Sequence, residues 1–224
     1  MRTLENCTVI LVAISDGAIE DFVRRFKTED AGRPTKKFIH FSGSLVTTEA
    51  TGVHPLMTFS EGLYDLADYE AIHFVCDAGA NFQTVFPRLP NRFHEIPTEL
   101  KPLYHSFCVL SGNFTVLLWE KFFHELENKF GIPRIAAAPY LKRTYENLLL
   151  GNKNGVRDGV GEKSVLTGPL QRNDKNTVEK NLRALNDDAY GGVYRAFVEA
   201  YFGKTYLGEG DLKGAKGRNH EQHP

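Results

Sequence analysis

The chain has 224 residues, 42% hydrophobic and 25% charged, with 27 Lys and Arg against 28 Asp and Glu and a formal net charge of −1. This composition suits one large domain or two smaller ones and excludes disorder as the default. The even charge balance removes any global attraction to nucleic acid or an anionic membrane.

Cys7, Cys76 and Cys108 stand apart within apolar runs, a pattern of reduced core thiols rather than a disulfide framework or a zinc site. A cytoplasmic protein without a bound metal is therefore the expectation. The opening MRTLENCTVILVAIS lacks a signal-peptide cleavage pattern, and no apolar run is long enough to span a bilayer.

In chain order, Cys7 to Ser15 reads as a Val/Ile-rich strand covered on both faces. Asp16 then caps a helix with Ile19, Phe22, Val23 and Phe26 at helical spacing, which Gly32 and Pro34 end before a strand at Lys37 to Phe41. Ser42-Gly43-Ser44 stops that strand, and the His54-Pro55 step biases His54 towards extended backbone on a loop or strand end. Ala71 to Cys76 and Arg92 to Ile96 read as further strands, with a short helix at Asn81 to Phe86. Alternating strands and helices predict a doubly wound parallel sheet, whose ligands sit outside the carboxyl ends of the strands, where Asp16, Ser42 and Gly43 lie.

From Glu99 the pattern is helical. Leu110, Phe114, Leu118, Phe122, Leu126 and Phe130 form the stripe of a long packed helix that Gly131 closes, and Gly112-Asn113 is a polar interruption on another face. Pro139 opens a second helix through Leu148, ended by Gly151, and Asn152 to Lys163 reads as a loop. Asp174 or Asn176 caps a helix with Val178, Leu182 and Leu185 on one side; a last helix carries Tyr190, Tyr194, Phe197 and Tyr201. The tail from Gly208 has little to bury. The predicted domains are 1–98, 99–207 and the tail 208–224. The apolar surface of the helical part predicts a homodimer built through residues after Glu99.

The order HFSG, GVHPLMTF, YHSF with Asn113, a helix with Asn147, then LTGPLQRND followed by TV resembles an uncharacterised Rossmann-like family. Its members join a nucleotide-binding half to a helical domain of unknown function, and are similar to pyrroline-5-carboxylate reductase and the 6-phosphogluconate dehydrogenase C-terminal superfamily. The likeness runs from about Val9 to Tyr201. The family position of Asn173 usually holds Gly and that of Asn181 usually His.

The resemblance implies a partial, N-terminally truncated Rossmann-like sheet followed by an all-α domain. The strand, Gly-x-Gly-x-x-Gly turn and helix that open family members are missing from this sequence, which begins at what resembles their fourth strand. Either the chain starts at an internal Met or the dinucleotide platform has been lost.

As implied function, an NAD(P)-dependent oxidoreductase would use NADP or NAD on a small carbonyl, imine or hydroxy acid. Asp16, Ser42 and Gly43 would meet the cofactor. His54 and Asn113 would be catalytic, with Thr58, His105, Asn147 and Arg172 on the substrate. Each has a structural reading too: His54 bonding a carbonyl in a turn, Asp16 and Asp174 as helix caps, Asn113 and Asn147 as bridges between helices. Arg172 beside helix N–H groups is equally a seat for an anion or one half of an ion pair. His40 and His73 are expected to be satisfied structural residues. The alternative function is a non-catalytic dimeric binding or scaffold module.

Overall fold

The computed structural model describes Leu4 and residues 7–32, 34–153 and 165–207. Contacts divide the chain into two compact units, Met1–Arg134 and Ile135–Pro224.

The first unit is α/β. It is built on a five-stranded sheet of β1 (Val9–Val12), β2 (Lys37–His40), β3 (Thr51–Leu56), β4 (His73–Asp77) and β5 (Phe93–Ile96), in that spatial order. Helix α1 (Asp16–Glu29) joins β1 to β2, α2 (Leu66–Ala71) precedes β4, and α3 (Phe82–Val85) links β4 to β5. β1, β2 and β3 run parallel, as do β4 and β5, but β3 and β4 are antiparallel. The sheet is thus mixed, where alternating elements alone predicted it wholly parallel. The reversal brings Asp77, at the carboxyl end of β4, beside the start of β3: Val53 faces Cys76.

Alternation splits the sheet residues between two cores. Ile10, Val12 and Phe38 pack with Ile19, Val23 and Phe26 of α1 on one face; Ile39, Val53 and Cys76 pack with Ala80 and Phe82 on the other. β1 was expected to be covered on both faces, yet Leu11 is 52% exposed between buried Ile10 and Val12. β1 is an outer strand with β2 as its neighbour in the sheet, and α1 covers one side of it.

Pro55 hid β3 from the sequence reading. The structure shows why a proline is tolerated there: β2 pairs only with Thr51 and Gly52, so the later part of β3 has β4 as its partner and behaves as an edge. His54 lies within this strand rather than on a loop.

Helix α4 (Lys101–Cys108) continues through a π-helical turn, Val109–Asn113, into α5 (Phe114–Asn128). The π turn falls on the small polar Ser111-Gly112-Asn113 step, where the apolar pattern breaks. By contact α4 and α5, which follow the boundary drawn at 98/99, are grouped with the sheet. Their expected buried stripe stands open: Leu110, Phe114, Leu118, Phe122 and Phe130 are each at least 36% exposed, and Phe123 is the buried residue of α5. Periodicity fixed which side of the helix is apolar, not what covers it.

The second unit contains α6 (Ala138–Lys153), α7 (Lys175–Ala184) and α8 (Tyr190–Phe202). α6 runs through Gly151, so the predicted stop there is not made. Asp174 caps α7 as expected, accepting from the Thr177 N–H at 3.1 Å. Val178, Leu182 and Val198 form a small core with Leu207. The predicted loop between 154 and 163 and the tail 208–224 lie outside the described residues. Among the described residues, no helix is long and apolar enough to cross a membrane.

Candidate functional site

The first unit gathers polar groups where β2 ends and β3 begins. Ser15 is the N-cap residue of α1, so Asp16 is the first helical residue rather than its cap. Its carboxylate instead accepts a 2.5 Å hydrogen bond from Ser42 Oγ, just past β2. The same Ser42 oxygen accepts from the N–H groups of Ser44 and Leu45, which ties the turn into one conformation. Both Ser42 and Gly43 are buried.

A side chain at position 43 is excluded by histidines. A Cβ there would stand 2.3 Å from His105 Cδ2 and 2.9 Å from His54 Nε2. His54 comes from β3 and His105 from α4, and their rings meet edge to face with centroids 5.6 Å apart. His54 Nδ1 is 2.9 Å from the Tyr104 hydroxyl. Burial first, then the positive character of His105 and Lys101, pushes the His54 pKa down to about 4, with Asp16 pulling weakly the other way. The imidazole is neutral at physiological pH. Tyr104 is pushed upward by burial and by the adjacent Cys108, so it keeps its proton.

Beneath this pair lies a buried charge. Lys101, 1% exposed, opens α4 and sets Nζ 3.0 Å from Asp77 Oδ1. Asp77 Oδ2 accepts from the Gly52 N–H at 2.5 Å. Gly52 is required by space: a Cβ would meet Lys101 Nζ at 2.1 Å and Asp77 Oδ2 at 2.9 Å. His40, fully buried, faces Gly52 across the parallel register. Its Nδ1 accepts from the Ser42 N–H at 3.2 Å, while Nε2 has no hydrogen-bond partner among the described residues. His40 was expected to be satisfied, and only one of its nitrogens is. Burial and then Lys101 lower its pKa to about 4, against the pull of Asp77 and Asp16.

Five predicted residues therefore converge: Asp16, Ser42, Gly43, His54 and His105. Thr58 and Asn113 belong to the same unit but stand away from the cluster. Thr58 is exposed two residues past the end of β3, where the chain turns with the Met57 N–H bonded to the Pro55 carbonyl. Asn113 is exposed at the end of the π turn, about 12 Å of helix from His105. Asn147 is half-buried on α6 and Arg172 is exposed just before the Asp174 cap; both belong to the second unit. Arg172 helps hold the Asp174 carboxyl below its usual range, after the larger effects of the Thr177 hydroxyl and N–H.

His40, Gly52, Asp77, Lys101 and Tyr104 were missed as site residues. Two signals were available. Asp77 ends a strand, and Lys101, Tyr104 and His105 in KPLYH have the i, i+3, i+4 spacing that puts three side chains on one helix face. Cys76, next to Asp77, is raised to about 11, chiefly by burial, and is an inert core thiol.

Among solved structures, the chain is similar to the candidate NADP oxidoreductase BF3122 of Bacteroides fragilis: 22% identity, TM-score 0.64, covering 87% of this chain and 74% of that one. It is similar to protein TM1727 of Thermotoga maritima at 21% identity and TM-score 0.63, covering 89% and 79%. Plasmodium falciparum pyrroline carboxylate reductase, solved with NADP bound, overlaps more loosely at 14% identity and TM-score 0.49, over 89% and 76% of the two chains, too distant to carry chemistry across. At such identities the first two likenesses establish the fold, which is Rossmann-like. No curated protein matches the chain. The sequence profile described as Domain of unknown function (DUF2520) matches residues 77–201, from the buried Asp77 through α8. That match spans more than half of the chain, which therefore belongs to the DUF2520 family.

Proposed function

We propose that this cluster is the reaction end of an NAD(P)-dependent oxidoreductase site acting on a small carbonyl, imine or hydroxy acid. The observation that carries the reading is the meeting of the Ser42-Gly43 backbone, at the carboxyl end of a parallel strand, with the neutral His54–Tyr104 pair and His105. Its fold likeness to a candidate NADP oxidoreductase agrees with that reading.

The residues present suit the nicotinamide end of a dinucleotide. The Gly43 position is taken up by the His54 and His105 rings, and the Ser42 hydroxyl by Asp16 and the turn, so the groups offered to a nicotinamide are the histidine edges and the second oxygen of the Asp16 carboxylate. A bound nicotinamide would supply or accept the hydride. The chain's own part is to orient the reacting carbon and to offer a hydrogen-bond donor where charge develops, with solvent supplying the proton that completes the product. With the Tyr104 hydroxyl donating to Nδ1, the His54 proton sits on Nε2, the nitrogen facing Gly43. A neutral imidazole so placed donates to a carbonyl oxygen or imine nitrogen as it is reduced.

Titration with NADPH and NADH, followed by nicotinamide fluorescence, tests the reading. Saturable binding is expected, and Gly43→Ala should abolish it by driving both histidine rings out of place. His54→Gln should bind cofactor and lose turnover. Failure of the folded chain to bind either nucleotide at millimolar concentration would overturn the proposal. That outcome would favour the second reading, a non-catalytic binding module.

A further inference from the structure

We propose that Lys101 is a positioning residue of this cluster: its ammonium, ion-paired with Asp77 through the opening left by Gly52, docks the Tyr104–His105 face of α4 against His54 and holds a fixed positive charge beside it. The proposal rests on the reading of His54 as the hydrogen-bond donor of the site.

The argument is one of matched spacing. Lys101, Tyr104 and His105 lie on one face of α4, with about 6 Å of rise from the first to the last. Gly52 and His54 lie on one face of β3, about 6.7 Å apart. Helix and strand therefore meet twice in register, Lys101 over Gly52 and the Tyr104–His105 pair over His54. The lower contact admits no side chain at position 52, and Gly43 leaves the corresponding room for His105.

A lysine that is 1% exposed cannot itself touch a bound molecule, so its effect must pass through its neighbours. A buried ion pair is a poor way to gain stability, since an apolar pair of the same volume often does as well. It does fix register and charge. The titratable and charged groups bearing on His54 are Lys101, Tyr104 and His105 from α4 and Asp16 from α1. Lys101 and His105 oppose protonation of the ring, and Asp16 favours it.

The test is a cofactor-free NMR titration of the His54 ring in the full chain, assigned by comparison with His54→Gln. In the wild type the ring should titrate well below the ordinary midpoint of about 6.5. Lys101→Met should raise that midpoint by about half a unit or more, whereas Lys101→Arg should stay close to wild type. A folded Lys101→Met chain with an unchanged midpoint would overturn the proposal, as would Lys101→Arg behaving like Met. Should Lys101→Met fail to fold, the wild-type and Lys101→Arg titrations still decide: a wild-type ring titrating near 6.5, or an arginine variant that has lost the depression, refutes the role. The readout needs no nucleotide, so a chain that binds no NADPH can still pass it, and a chain that binds NADPH can still fail it.

Discussion

Gly52→Ala is the sharpest perturbation of the buried centre. The added Cβ would stand 2.1 Å from Lys101 Nζ and 2.9 Å from Asp77 Oδ2, so the ammonium must shift and its pairing with the carboxylate is disturbed. Removing one partner of a buried ion pair costs about 3–5 kcal/mol, and a displaced but still charged lysine belongs at the lower end, about 3. Replacing a strand glycine by alanine returns about 0.5–1 kcal/mol through the unfolded chain. The net expectation is a loss of about 2–3 kcal/mol. With an m-value of about 1–3 kcal/mol/M, the urea midpoint of the first unit falls by about 0.7–3 M. Gly17→Ala is the control: a Cβ there meets nothing within 4 Å, and the helix gains rather than loses. A Gly52→Ala chain within about 0.5 kcal/mol of wild type, on the scale of an ordinary surface change, would refute the claim that Lys101 is confined over position 52.

Asn173 holds φ +52°, a left-handed backbone that asparagine tolerates and alanine resists; Asn173→Ala should cost about 1–2 kcal/mol in urea unfolding, and Asn173→Gly should not. His40 and His54 both have folded pKa values of about 4 against an ordinary 6.5. The unfolded chain therefore binds more protons, and stability should fall as pH drops from about 6.5 to 4, a slope that His40→Leu reduces when unfolding is followed across that window. Glu49, Glu125 and Asp174, lowered by partner hydrogen bonds, act at the acid end, where their contribution is lost as pH falls through their depressed values. The open apolar side of α4 and α5, including Leu103 at 56%, Phe107 at 61% and Phe114 at 45% exposure, predicts a homodimer. Light scattering at micromolar concentration should give twice the monomer mass; a monomer mass unchanged on dilution would refute it.

The strand–helix–strand opening was legible because Val and Ile runs and a 3.6-residue stripe are local signals, and Ile19, Val23 and Phe26 are buried as their spacing requires. β3 was not, because a proline counts against a strand unless the strand's unpaired side is known, and that is a property of the neighbouring strand's length. The direction of β4 is likewise set by what it pairs with. The α5 stripe misled for a related reason: periodicity reports the apolar side of a helix and is silent on its partner. Asp16 looked like a cap because Asp before an apolar pattern usually is one, yet the Ser42 hydroxyl, 26 positions away, takes its carboxylate.

The site was half legible on the same grounds. Ser42, Gly43 and His54 stand within one short stretch whose turn and His-Pro step are visible in the sequence. The partners of Gly43 and His54 arrive 50 to 62 positions further on, on the face of α4, while the antiparallel β3–β4 pairing brings Asp77 to Gly52. What made Lys101 unreadable is that a lysine in the first turn of a helix is ordinarily a solvated residue, and nothing local distinguishes one that is not. The distinguishing feature is Gly52. A glycine inside a strand weakens it, so its presence in β3, which pairs with both β2 and β4, implies that something takes the place of the missing side chain. Here that something is the ammonium, and the same argument applied to Gly43 leads to His105. Two glycines on neighbouring segments thus mark where a helix is received, and the His54 that meets it is held neutral first by burial and then by the charges the helix brings.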